Sequence, residues 1–169
     1  TLHPPKLPEL THIDDLALTV MLDFQYQHPI TVHCNTTIDD AAIEMKANNV
    51  HLLFVIDDEG AVIGLTNSRL LHGEIPYKIM QEKRIKHSEI TVGMLMLPRE
   101  KILCLDHEAV KTAKIGSIIE NFKSSKRHYA LVIDLDEEGK QQIHGYFSAS
   151  RISKSLGEDI KAETIASFG

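Results

Sequence analysis

Residues 50–71 read VHLLFVIDDEGAVIGLTNSRLL, two apolar runs joined by an acidic, glycine-ended turn. The run from His51 to Ile56 is long enough for a buried strand and too short for an independent helix. Asp57-Asp58-Glu59-Gly60 supplies a polar turn ending on glycine, which accepts a positive φ without steric cost. Ala61 to Leu65 is a second apolar run, after which Asn67 or Ser68 can cap a short helix over Leu70 and Leu71. The pattern returns 77 residues later, where His51-Leu52-Leu53-Phe54-Val55-Ile56-Asp57 is echoed by His128-Tyr129-Ala130-Leu131-Val132-Ile133-Asp134. Gly64 is echoed by Gly145, the second hairpin being four residues longer. The chain is a duplicated unit.

Working outward, Pro29 starts a strand from Ile30 to Cys34, and Thr37 to Ala47 reads as a helix. Thr37 with Asp40 has the form of a capping box. Ile38, Ala41, Ala42 and Met45 form one apolar stripe, repeated with larger side chains as Ile115, Ile118, Ile119 and Phe122. Pro76 suits the first turn of a helix through Ile79 and Met80, and the basic run Lys83 to His87 reads as a solvated connector. Asp14 or Asp15 caps a short helix with Leu16, Val20 and Met21 inward; Ser88-Glu89 caps a matching one with Val92, Leu95 and Met96. Lys101 to Leu105 is the second copy's first strand, and Ser148 caps its last helix, with Ile152 and Leu156 on one face and Gly157 as the stop.

The predicted fold class is therefore α/β (α+β): two β-α-β-β-α units related by pseudo-twofold symmetry. The predicted organisation is an extended arm at 1–12, either a disordered end or a strap across a partner subunit, a first unit at 13–74, a linker with a short helix at 75–87, a second unit at 88–157 and a tail at 158–169. Pro4, Pro5 and Pro8 keep the arm extended, whereas Ile160, Ile165 and Phe168 let the tail dock as a helix.

A net charge of −6 argues against nucleic acid as a partner. The longest uncharged apolar run, Ile90 to Pro98, is far below the roughly 18 residues of a membrane span. No leader pattern appears, so a cytoplasmic location is expected. Cys34 and Cys104 read as two buried free thiols, with no CxxC spacing for redox chemistry. Ten histidines include no HxxxH or HExxH, and His33 and Cys34 fall on opposite faces of a strand, so no metal site is expected. Asp106-His107-Glu108 is only a sequence adjacency and Asp57-Asp58-Glu59 is explained by a turn, so no catalytic residues and no enzyme activity are expected.

The duplicated pattern resembles a tandem pair of CBS domains, named after cystathionine β-synthase, and looks like the short stand-alone bacterial kind without an attached enzyme or transporter domain. The likeness rests on Ala41-Ala42-Ile43-Glu44-Met45, Leu53-Phe54-Val55-Ile56-Asp57, Gly60 and Gly64 in the first copy. In the second it rests on Leu131-Val132-Ile133-Asp134, Gly139 and Gly145. It implies a small regulatory, ligand-sensing protein that binds an adenine nucleotide or another anionic small molecule in the cleft between units. AMP, ATP and S-adenosylmethionine are the implied ligands. It also implies a homodimer through helical faces and an unidentified effector protein.

The family's glycine motif places a Thr or Ser near phosphate and an Asp on the ribose. Here Asn67 and Leu70 fill those places in the first copy, and Ser148 and Arg151 in the second. Both ribose-reading carboxylates are missing. A hydrogen bond to a charged group contributes about 1.5–3 kcal/mol, so each loss weakens ribose recognition by roughly 10- to 100-fold. Arg151 presents a planar fork suited to phosphate or carboxylate. The expected ligand-binding residues are Ser148, Arg151, Arg127, His128 and Tyr129 in the second copy, with Thr31, Val32, His51 and Asn67 in the first. For His51 and His128 the competing use is a bond to backbone, and for Tyr129 and Tyr146 it is core packing rather than adenine stacking. The alternative reading of the chain is a ligand-free structural or protein-interaction module.

Overall fold

The structure is a computed structural model that describes residues 11–157; the predicted helical tail and nearly all of the predicted arm lie outside the described residues. From its start the chain passes through a 3-10 turn (Ala17–Thr19), β1 (Leu22–Asp23), β2 (Thr31–His33), α1 (Ile38–Asn48), β3 (Leu52–Ile56), β4 (Val62–Asn67), α2 (Ser68–His72) and α3 (Ile75–Lys83). After a second 3-10 turn (His87–Glu89) come α4 (Val92–Leu95), β5 (Leu97–Pro98) and a third such turn (Arg99–Lys101). The second copy follows as β6 (Leu103–Asp106), α5 (His107–Thr112), α6 (Ile115–Ser125), β7 (Tyr129–Leu135), β8 (Gln141–Ser148) and α7 (Ala149–Leu156).

These elements make two four-stranded sheets, ordered β2-β3-β4-β5 and β1-β8-β7-β6. In each, the copy's first strand runs parallel to the second, which pairs antiparallel with the third. The repeat extends to detail. Thr37 caps α1 by accepting the Asp40 N–H at 3.2 Å, as its spacing predicts. Ile38, Ala41 and Met45 are buried beneath α1, and Ile115, Ile118, Ile119 and Phe122 beneath α6. Both helices end on a left-handed residue, Asn49 (φ 52°) and its counterpart Lys126 (φ 58°). Each hairpin turns on a glycine at positive φ, Gly60 (φ 81°) and Gly139 (φ 80°).

The copies are not assembled in the order in which they are written. β5 precedes the second copy in sequence yet pairs with β4 of the first. β1 precedes the first copy yet pairs with β8 of the second. One compact unit is therefore His28–Ile102, and the other joins residues 11–27 to 103–157. Residues 13–27, which lead into the first copy, contribute fully buried Ala17 to the core that holds Phe122 and Phe147.

The repeated glycines sit where these added strands lie. A Cβ on Gly145 would stand 2.3 Å from the Leu22 carbonyl oxygen, and one on Gly64 2.5 Å from that of Leu97. Only a residue without Cβ lets the edge strand approach.

Local details depart from expectation. In place of the expected helix there is a single 3-10 turn, Ala17–Thr19, with Leu16 52% exposed, Ala17 fully buried, and Val20 and Met21 packed against the core as expected. A three-residue turn has no i, i+4 face, and Leu16 is held extended by a backbone bridge to Lys114. Asp15 accepts the His12 N–H, upstream of that turn. Lys101 belongs to a turn, so the second copy's first strand begins at Leu103. Cys104 is exposed rather than buried, because β6 is a sheet edge whose alternate residues, Cys104 and Asp106, face outward. Cys34 is half-buried.

Gly145→Ala is expected to lower stability by about 1–3 kcal/mol, the usual cost of overpacking, because the obstacle is backbone that cannot rotate away. Urea unfolding checks this, the midpoint falling while the denaturant slope stays constant.

Candidate functional site

In the second-copy unit the sequence-predicted residues converge on one end of the sheet. Tyr129, the first residue of β7, lies opposite Ser148, the last of β8. The His128 carbonyl accepts the Ala149 N–H at 2.9 Å, tying the approach to β7 to the first turn of α7. Ser148 is buried and caps α7, its Oγ accepting the Arg151 N–H at 3.5 Å and lying 3.1 Å from Ser150 Oγ. The serine hydroxyl therefore has a structural task. Arg151 is exposed on the first turn of α7, and among the described residues its guanidinium has no acidic partner. Arg127 is half-buried, with its N–H donated to Ser125 Oγ at 3.2 Å, and His128 is exposed.

Tyr146, on β8, completes this end. It pairs with Leu22 and Leu131 and its ring meets Phe24 at 5.9 Å. Burial pushes its phenol up to about 12, while the Arg151 guanidinium draws it down and Tyr129 adds to the rise. One phenol thus senses whatever changes the field of Arg151.

The first copy arranges its counterparts differently. The His51 carbonyl accepts the Ser68 N–H at 3.2 Å, and its Nδ1 lies 3.3 Å from Ser68 Oγ. Asn67 Oδ1 accepts the Leu70 N–H at 2.9 Å as the cap of α2. Leu70 packs against the core, as does Val32, which is 7% exposed. Thr31 is exposed, two register pairs farther along β3 than Leu52. His51 and Asn67 are thus brought together, with Thr31 displaced along the sheet and Val32 inside. A cleft in this unit lies elsewhere, between α1, α2 and α3, where Ile38, Leu71, Pro76 and Tyr77 line it beside the Asp39–His87 pair. None of the sequence-predicted residues borders it.

A second grouping was not anticipated. His107 at the start of α5, Asp134 on β7 and His144 on β8 bring their ligating atoms within 4.8 Å of one another. The two imidazoles stack at 3.9 Å with planes 12° apart, and His144 Nε2 lies 3.6 Å from Asp134 Oδ2. The only sequence signal was the longer second hairpin, since the three residues share no short spacing.

A family model, that of the CBS domain, matches residues 11–69. A conserved CBS domain protein of Thermoplasma acidophilum is similar in structure, with a TM-score of 0.57 at 19% identity over 87% of this chain and 76% of that one. The chain has the fold of a CBS pair. Similar CBS structures include CBSX2 in complex with AMP, with a TM-score of 0.54 at 20% identity over 83% of this chain and 95% of that one. The CBS domain pair of protein MJ0100, in complex with 5′-methylthioadenosine and S-adenosyl-L-methionine, gives 0.53 at 17% identity over 84% and 99%. No curated protein matches the chain.

Because Tyr146 is raised in the folded state, the stability it contributes is complete below its ordinary value of 10.0 and is lost as pH climbs through about 12. Over that alkaline window Tyr146→Phe is expected to lose less stability than the parent, as followed by urea midpoints. In an ultraviolet titration, Arg151→Ala is expected to move the late-titrating phenol higher still.

Proposed function

We propose that this CBS pair is a non-catalytic regulatory module that senses an anionic small molecule, of which an adenine nucleotide is the leading case. The second-copy unit holds the ligand where β8 meets α7. The observation that carries this reading is the exposed Arg151 guanidinium, without an acidic partner among the described residues, on the turn capped by Ser148. A planar fork in that position takes phosphate or carboxylate bidentately. Arg127 is half-buried beside it, and the His128 backbone ties the start of β7 to the first turn of α7. The AMP and S-adenosylmethionine complexes of similar CBS structures support adenosine compounds as the class to test first. With Arg151 standing where the family has its ribose-reading Asp, affinity comes from the anion more than from the sugar.

The first copy contributes less in this reading. Thr31, His51 and Asn67 form its polar edge, but the Asn67 oxygen already caps α2 and Leu70 offers no acceptor. Ligand binding biases the relative arrangement of the two units only by its differential affinity for their alternatives. The homodimer through helical faces is proposed on exposed Ile43 of α1 and Tyr77 of α3, each 63% exposed. An effector protein reads the outcome. No helix among the described residues is long and apolar enough to cross a membrane.

A second reading, a ligand-free interaction module, is favoured by Leu70 and Arg151 at the family's Asp positions. A thermal-shift series with AMP, ATP, S-adenosylmethionine and inorganic pyrophosphate separates the two. Under the first reading, one of them at about 100 times its dissociation constant adds roughly 2.7 kcal/mol of stability. Arg151→Ala is then expected to weaken that binding by roughly 10- to 100-fold. No shift with any of the four favours the interaction reading, and a shift unchanged in Arg151→Ala removes Arg151 from the site.

A further inference from the structure

We propose that His107, Asp134 and His144 form a binding site for a divalent transition-metal ion, with Zn²⁺ the natural occupant. The site belongs to the second-copy unit, at the hairpin half of its sheet, and is independent of the anion reading. Its donor set is two imidazole nitrogens and one carboxylate, a combination that suits a borderline ion and leaves a fourth position for water or an anion.

The two copies differ at the positions that surround this aspartate. β7 and β8 are irregular between Val132 and Ile133: Gly145 faces Val132 and Ile143 faces Ile133, so His144 is the extra residue of a bulge. The first copy has the same irregularity, and its extra residue is Ile63. The residue after the first strand is His107 in one copy and Cys34 in the other, since Asp106 and His33 occupy matching register positions. Only the second copy carries two imidazoles around the shared aspartate.

That aspartate also has a different task in each copy. In the first, Asp57 Oδ1 accepts the N–H groups of Glu59 and Ala61, both at 2.9 Å, and so builds the turn. In the longer second hairpin the turn moves outward, and Asp136 Oδ1 takes Glu138 at 2.9 Å and Lys140 at 2.8 Å. Asp134 is released. Its Oδ1 accepts the neighbouring Leu135 N–H at 2.8 Å, leaving Oδ2 facing His144.

His144 Nε2 is sealed from solvent with no hydrogen-bond partner, its 3.6 Å to Asp134 being too long for one. An orphaned ring nitrogen beside a released carboxylate and a second stacked imidazole is explained by a cation that all three reach. Ligand atoms around one tetrahedral zinc lie about 3.3 Å apart, as follows from bonds of about 2.0–2.2 Å. Separations within 4.8 Å close to that by rotating half-buried side chains, the ring stack opening around the ion. The nearby Lys111 ammonium pairs with Glu108 at 2.8 Å and also feels the Asp134 carboxylate.

The test is competition for Zn²⁺ between the untagged chain and a chromophoric chelator of micromolar affinity. One Zn²⁺ per chain is expected, with affinity falling about tenfold or more in His144→Ala and in Asp134→Asn, and unchanged in His33→Ala. Zn²⁺ is further expected to raise the melting temperature of the parent and to leave that of His107→Ala, whose side chain is part-exposed, unmoved. Co²⁺ in place of zinc is expected to show the visible absorption of a four-coordinate ion. Absence of Zn²⁺ binding at micromolar concentration, or equal affinity in the parent and the His144 and Asp134 variants, overturns the proposal. Nucleotide binding bears on neither outcome.

Discussion

Two carbonyl oxygens, Leu22 and Leu97, come so close to Gly145 and Gly64 that no side chain fits between them. This backbone-to-backbone approach completes each sheet, and the rest of the architecture follows from it. With β1 seated on β8, Ala17 enters one core; with β5 seated on β4, α4 presents Val92 and Leu95 to the other. Glycines that serve as the family's landmark before a ligand motif thus have a packing reason of their own.

Much of the fold was legible because local signals agreed with one another. Apolar runs of strand length, a Thr-x-x-Asp cap and a stripe repeated at 77 residues all pointed to one unit copied once, and the helix ends at Asn49 and Lys126 respect that spacing. The exchange of edge strands was not legible, because β1 and β5 are two residues each and carry no period. The exposure of Cys104 was hidden for the same reason: alternation in β6 identifies two faces, and only the position at the sheet edge says which is wet.

At the sites, sequence reasoning located the residues but not their engagements. Ser148 and Asn67 were read as ligand groups, and each caps a helix. Arg151 and Arg127 are both without an acidic partner among the described residues, and Arg151 is the exposed one of the two, on the first turn of α7. The His107, Asp134 and His144 grouping spans 37 residues and depends on a bulge, so spacing rules for metal ligands had no purchase on it. Where the two hairpins share a register but differ in length, the residue relieved of turn duty is the one available for something else.

The pairing of Leu22 with Tyr146 joins positions separated by nearly the whole described chain. A ribosome must therefore release β8 before β1 has a partner, while His28–Ile102 already contains everything its own sheet needs. Synthesis order and assembly order diverge: β1 precedes the other strands in the chain and pairs with the last of them. Contacts of such high sequence separation carry the largest loop-closure cost and slow folding, so the second-copy unit is expected to close later than His28–Ile102. Until it closes, the β8 edge stands open as a template for a neighbouring chain, and exchange of the 11–27 segment between two molecules is the misassembly that this wiring invites.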